Sequence, residues 1–267
     1  TVDGEIVDTP VTANSSDTGN GGGSIVGAYQ VNTGLTVAVA GTGWGSSTWG
    51  RDTWGSAATS TTATELRIWT HDNFGEDLLF NVRNGNIFYW DTSTDTLGTN
   101  RGTPLTLVSG ADAATPTVAT QVMVSDRDRH VIVFGCDSET AIGTQDPLLI
   151  RFSNQESITE WAAEATNTAG DLRVGSGSEI VCAAETRQQI LVWTDVSLHA
   201  MQYLGPPFTF GIEQLSENTT IAGPLAVKAV DDTVFWMGVE EFYIYTGQVQ
   251  KLPCSVRSYV FNDFNVG

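Results

Sequence analysis

The sequence has few basic side chains. Of its 267 residues, 12 are Lys or Arg and 31 are Asp or Glu, which gives a formal net charge of −19. Proteins that bind nucleic acid need clustered Lys and Arg to neutralise phosphates. The composition therefore argues against a DNA-binding protein. It is compatible with a surface along which DNA slides without being held, and equally with a charge that serves solubility alone.

Cysteine and long apolar runs are also scarce. The three cysteines, Cys136, Cys182 and Cys254, form no C-x-x-C pair, so the sequence offers no zinc site and we expect neither a metal nor a cofactor. Cys136 and Cys182 lie in apolar, strand-like runs, which predicts small buried hydrophobic residues. No apolar stretch approaches the roughly 20 residues that cross a bilayer, so we expect no membrane-spanning segment.

The common catalytic motifs are missing. The sequence contains no G-x-S-x-G, H-E-x-x-H, P-loop or G-x-G-x-x-G pattern, and its His71 is expected in an exposed turn. Two acidic pairs, Asp231–Asp232 and Glu240–Glu241, lie at predicted strand ends, where carboxylates could cleave a glycosidic bond. Acidic residues are ordinary in turns, however. We therefore predict that the chain is not an enzyme, and a glycoside hydrolase is the least favoured alternative.

What the sequence does contain favours strands and turns. Charged residues make up 16% of the chain, below the usual quarter, and there are 28 glycines. A chain of this composition has fewer of the Glu, Lys and Arg residues that normally cover helix surfaces. One short helix is predicted, over 157–165, with Ser157 as N-cap and Glu160 at the capping-box position.

From residue 64 to residue 267 the chain is a series of degenerate repeats. Each repeat has an apolar strand followed by a second strand that ends in an aromatic residue. The corresponding aromatic positions, separated by 65, 59 and 43 residues, are Trp69, Phe134, Trp193 and Trp236. Repeats of this length, each built from short antiparallel strands, are typical of propeller blades. The sequence predicts an all-β, β-propeller-like domain over 64–267, and four repeats are a low count for a closed propeller.

Residues 1–63 form a different, loop-rich segment. Trp44, Trp49 and Trp54 lie five residues apart and each precedes a glycine. Five matches neither the helical nor the strand period. These indoles are therefore expected to pack either on their own domain or against another subunit.

A second aromatic loop lies in the third repeat. Pro206 and Pro207 stiffen it, which reduces the entropy lost on docking. Phe208 and Phe210 follow them. We treat all four residues as candidates for a subunit interface, with core packing of the two phenylalanines as an equal alternative.

Several long strings resemble a known family, the tail accessory or nozzle proteins of podoviruses, also called DNA-stabilisation proteins. The resemblance covers roughly residues 25–264. The strings that carry it are 66–77 (LRIWTHDNFGED), 84–91 (NGNIFYWD), 191–195 (LVWTD), 201–211 (MQYLGPPFTFG), 235–245 (FWMGVEEFYIY) and 252–257 (LPCSVR).

The resemblance implies a virion location and a structural role in the tail. It implies a homo-oligomeric ring, commonly six-fold, beside the tail adaptor and portal-proximal proteins. DNA would pass through its lumen without specific binding. Members of the family are usually longer, which leaves the number of blades open. The alternative is a glycan- or receptor-binding module of a virion, in which Trp236 would form an aromatic platform beside Asp231 and Asp232.

Overall fold

The computed structural model describes residues 68–94, 102–205 and 208–264, together with the backbone of two short strands. These two strands, β1 (Val11–Thr12) and β2 (Val26–Gly27), pair antiparallel. The chain divides into two compact units, Thr1–Arg67 and Ile68–Gly267. The sequence placed this boundary at residue 63.

The second unit consists of four antiparallel sheets, and each strand pairs with the next strand along the chain. We call these sheets blades 1 to 4. Blade 1 contains β3 (Trp69–Phe74), β4 (Asp77–Val82), β5 (Ile87–Trp90) and β6 (Thr103–Pro104). Blade 2 contains β7 (Gln121–Val124), β8 (Val131–Phe134), β9 (Leu149–Phe152) and β10 (Gly170–Arg173). Blade 3 contains β11 (Ile180–Glu185), β12 (Ile190–Thr194), β13 (Ser197–Gly205) and β14 (Thr209–Glu217). Blade 4 contains β15 (Val227–Val230), β16 (Thr233–Met237), β17 (Phe242–Tyr245) and β18 (Val249–Lys251).

This arrangement confirms the predicted all-β, propeller-like fold. The single α-helix of the described residues is the six-residue α1 (Arg257–Asn262). The predicted correspondence of Trp69 with the aromatic residues of the other three repeats is wrong. Phe134, Trp193 and Trp236 all lie on the second strand of their blades, whereas Trp69 lies on the first. The second strand of blade 1 begins after the tight turn at Gly75, whose φ is +69°.

The predicted helix over 157–165 is wrong, because this segment is an irregular loop. The hydroxyl of Ser157 accepts hydrogen bonds from the backbone amides of Thr159 and Glu160. The carboxylate of Asp112 accepts two more, from the amides of Trp161 and Ala162, at 2.6 and 2.9 Å. Side-chain acceptors thus satisfy amides that a helix would have paired with its own carbonyls.

Three hydrophobic cores join the four blades in sequence order. Strand β8 of blade 2 is buried on both sides: Val131 and Val133 face blade 1, while Ile132 and Phe134 face blade 3. This explains why the sequence of such strands is a continuous apolar run rather than an alternating one. The third core lies between blades 3 and 4. Cys136 and Cys182 are buried in these cores, as predicted.

Blade 4 differs from the middle blades because the described residues cover only one of its faces fully. Along β16, Val234 and Trp236 are buried in the third core, whereas Phe235 between them is exposed. A closed ring of four blades would need a fourth core between blades 4 and 1. The described residues form three, so the four blades make an open arc.

Candidate functional site

The first strands of the four blades surround a central cavity of about 390 Å³. Its walls come from β3, β7, β11 and β15, and from the residues next to them. The lining includes both apolar and charged side chains: Ile68, Gln121, Glu185, Leu225 and Lys228, with Arg83 following β4. A concave site at which all four blades contribute is the natural place to look for a ligand.

Polar contacts between blades hold the inner strands at fixed positions. Gln121 of blade 2 and Ala183 of blade 3 form a reciprocal pair, in which the side-chain amide donates to the carbonyl at 2.9 Å and its oxygen accepts from the backbone amide at 2.8 Å. On the other side, Asn81 and Asp72 of blade 1 accept from the amides of Val122 and Val124. These hydrogen bonds across the blade interfaces fix the first strands of blades 1 to 3 relative to one another.

One end of the cavity wall is acidic. Glu185, at the end of β11, accepts a hydrogen bond from the backbone amide of Asp126 at 3.1 Å. Burial raises the pKa of Glu185 to about 7, and the nearby carboxylates of Asp126, Asp72 and Asp128 add to the effect. Burial also raises the pKa of Asp72. Carboxylates from three blades therefore meet at this end, with no cation among the groups that shift the pKa of Glu185.

The carboxylates considered for catalysis do not converge. Asp231 forms an ion pair with Arg187, and Glu241 pairs with Lys251 and Arg257. In the part of the chain that the structure describes, no group of three or more His, Cys, Asp or Glu side chains is placed to hold a metal ion.

Two blade faces at the ends of the arc carry apolar side chains that no described residue covers fully. We call the first open face 1; it contains the tilted pair Trp69 and Phe80, with ring centroids 6.1 Å apart, together with His71, Leu78 and Trp90. We call the second open face 4; it contains the cross-strand row Lys228, Phe235, Ile244 and Gln250, together with Val230.

Each face has at least one exposed apolar side chain, although the strand register also places the buried Val82 and Phe88 on open face 1. Trp69 and Phe235 are each 38% exposed, and Val230 is 55% exposed. Helix α1 covers only the edge of open face 4, through a ring contact between Phe261 and Phe242 at 5.0 Å. Exposed aromatic and branched aliphatic side chains on a sheet face are common at interaction surfaces.

The structure exposes one of the predicted interface residues and buries another. Phe208 is 74% exposed. Phe210 is 3% exposed and packs against His130, Phe152 and Tyr203 between blades 2 and 3. Phe210 thus takes the core role that the sequence left open. Trp44, Trp49, Trp54, Pro206 and Pro207 lie outside the described residues.

The aromatic platform proposed for glycan binding is not available. Trp236 is buried, stacked on Tyr243 and packed edge-on against Trp193 in the third core. Its ring faces are therefore occupied by other aromatic residues of the same chain.

Sequence reasoning missed the cavity residues Arg83, Gln121 and Glu185. Nothing near these positions in the sequence marks them. Their partners are far away along the chain, since Gln121 bonds a residue 62 positions later and Arg83 one 98 positions later.

No protein-family model and no curated protein matches the sequence. Among solved structures, the chain is similar to the AfRom2 CNH domain (TM-score 0.43, 12% identity, covering 74% of this chain and 59% of that chain). It is similar to Hsv2 of Kluyvelomyces marxianus, with a TM-score of 0.37 and 7% identity, over 66% of this chain and 46% of that chain. It is also similar to the extracellular domain of a putative one-component system of B. thetaiotaomicron, with a TM-score of 0.41 and 18% identity, over 70% of this chain and 22% of that chain. The chain spans less than two thirds of each of these structures, and the fold assignment rests on the strand order described above.

None of the helices in the described residues is long and apolar enough to span a membrane.

Proposed function

We propose that this chain is a structural subunit of the tail of a short-tailed bacteriophage, of the nozzle or tail-hub kind, and that copies of it assemble into a ring. The observation that supports this most is the open arc. Four blades share three cores, and an apolar face is left at each end.

The two open faces favour a particular kind of contact between copies. They lie on different blades and carry different residues, so open face 1 of one copy would meet open face 4 of the next. Such a head-to-tail contact is heterologous, and repeated contacts of this kind close into a ring when the rotation permits. Aromatic side chains such as Trp69 and Phe235 are the residues that dominate the energy of protein interfaces.

The charge of the chain suits a channel for DNA. With a net charge of −19, a lumen built from several copies would repel phosphates rather than hold them, so the genome could pass without being trapped. In the virion, the ring would lie beside the tail adaptor and portal-proximal proteins, as the resemblance of the sequence implies.

Analytical ultracentrifugation of three variants tests the contact. Trp69→Ser and Phe235→Ser each damage one open face, and both are expected to sediment as monomers. Leu107→Ser is the matched control, because Leu107 is 72% exposed and lies on neither face. It should assemble like the wild type.

A mixture of the first two variants sharpens the test. Each retains the face that the other lacks, so a head-to-tail contact predicts a dimer in the mixture and no larger species. If both variants assemble as the wild type does, the open faces are not the contact and the proposal fails.

A further inference from the structure

The cations of this acidic chain are nearly all accounted for by partners. Nine of the 12 Lys and Arg side chains lie among the described residues, and six of them form ion pairs. A seventh, Arg151, is buried and donates to three backbone carbonyls. The two that remain without a carboxylate partner in the described part of the chain, Arg83 and Lys228, both line the central cavity.

Arg83 follows β4, and its side chain reaches the beginning of β11. Its Nη1 donates to the carbonyl oxygen of Val181 at 2.7 Å, and this is its one side-chain hydrogen bond to the described residues. The bond joins a side chain of blade 1 to the backbone of blade 3, and it holds the half-buried guanidinium at the cavity. A guanidinium has five N–H donors, so several are left for a ligand.

Lys228 brings a second positive charge to the same cavity from blade 4. It is the second residue of β15 and lies on open face 4, directly opposite Phe235 in the strand register. The side chain is exposed, so its ammonium can approach a ligand that enters the cavity from solvent.

The acidic cluster does not cancel the charge of Arg83. Glu185 lies four residues beyond Val181 on β11, which corresponds to about 13 Å along a strand. Arg83 is not among the charged groups that shift the pKa of Glu185, which agrees with this separation. The Arg83 end of the cavity is therefore separate from the acidic end.

We propose that the central cavity binds a small oxyanion, the carboxylate or phosphate group of a molecule of metabolite size, through Arg83 and Lys228. The guanidinium offers a planar pair of donors that matches two oxygens of such a group, and the ammonium adds a point charge. A volume of about 390 Å³ lies within the range of small-molecule sites. The inference goes beyond the proposed role in a phage tail, and it requires that Lys228, which lies on open face 4, stays accessible to the cavity when copies assemble.

Isothermal titration calorimetry at constant ionic strength, with inorganic phosphate and separately with malonate, tests the inference. Lys228→Gln is expected to weaken binding about three- to five-fold, as loss of one exposed charge contact should. The matched control is Lys251→Gln, since Lys251 is the other lysine of the chain and pairs with Glu241 outside the cavity. It should bind like the wild type. Binding of phosphate alone or of malonate alone identifies which oxyanion the site takes.

Arg83 requires two variants, because its side chain also joins two blades. Arg83→Gln should reduce the affinity more than Lys228→Gln, and Arg83→Lys should restore part of it by keeping the charge. The inference is overturned if neither probe binds more tightly than about 10 mM. It is also overturned if Lys228→Gln has no effect, or if Lys251→Gln weakens binding as much as Lys228→Gln does.

Discussion

Replacement of Glu185 by Gln should make the protein more stable at pH 8 and leave its stability unchanged at pH 4. The carboxylate lies half-buried at the junction of three blades, where its pKa is raised from 4.5 to about 7, first by burial and then by Asp126, Asp72 and Asp128. Folding therefore favours the protonated form of Glu185. Gln is neutral at every pH and can still accept the hydrogen bond from the amide of Asp126.

The sign follows from proton linkage. Between pH 4.5 and 7 the folded protein holds a proton on Glu185 that the unfolded chain has released, so this contribution to stability is fully present below pH 4.5 and is lost as the pH rises through 7. A shift of this size corresponds to about 3.5 kcal/mol at most, at roughly 1.4 kcal/mol per pH unit. Because the side chain is partly exposed to solvent, we discount this to about 1–2 kcal/mol.

Thermal unfolding from pH 4 to pH 8 measures the effect. For a domain of this size, 1–2 kcal/mol corresponds to a rise in Tm of roughly 3–6 °C for Glu185→Gln at pH 8. Glu213→Gln is the control, since it removes the same charge from an exposed position on β14. The reasoning is refuted if the two variants have the same pH profile, or if Glu185→Gln is less stable than the wild type at pH 8.

Three further substitutions probe the packing of the arc, each by urea unfolding. Phe210→Ala should lower the free energy of unfolding by about 3–5 kcal/mol, because it leaves a cavity in the core between blades 2 and 3. Phe208→Ala should change it by no more than about 0.5 kcal/mol. Equal losses in the two variants would contradict the assigned burial. Arg151→Met should cost at least about 2 kcal/mol, since three carbonyls lose their donor, and a neutral result would count against that network. Asp112→Ala should cost about 3 kcal/mol by removing the acceptor of three backbone amides, with partial recovery in Asp112→Asn; no difference between these two variants would contradict it.

The fold could be predicted from the sequence where a strand carries its own signal. The apolar runs Val131–Phe134 and Ile190–Thr194 are buried on both faces, so their composition alone marks them as strands. The turn at Asn84, whose φ is +55°, is likewise predictable, because an Asn-Gly pair between two strands favours a tight hairpin turn. Four repeats in the sequence correspond to four blades in the structure.

Other parts of the fold depend on distant partners. The strand Gly170–Arg173 contains one apolar residue and exists because it pairs with β9 along its whole length. The segment over 157–165 has a helical capping pattern, but Asp112, some 50 positions earlier, supplies the acceptors that hold it as a loop. In both cases a tertiary contact overrides the local preference.

The candidate site could not be predicted for the same reason. The cavity exists because the first strands of four blades meet, and its charged lining comes from residues between Arg83 and Lys228 along the chain. The sequence did indicate exposed aromatic residues as contact points, but the ones on the open faces are set by strand register. Phe235 is exposed and its neighbour Trp236 is buried, a distinction that only the pairing of blade 4 determines.

Native mass spectrometry of the wild-type protein tests the central claim most directly, because an open arc with two apolar ends is expected to complete itself with further copies. The account predicts one dominant species whose mass is a whole multiple, of at least three, of the 28.5 kDa chain. A stable 28.5 kDa monomer at micromolar concentration, with no larger species, would contradict it.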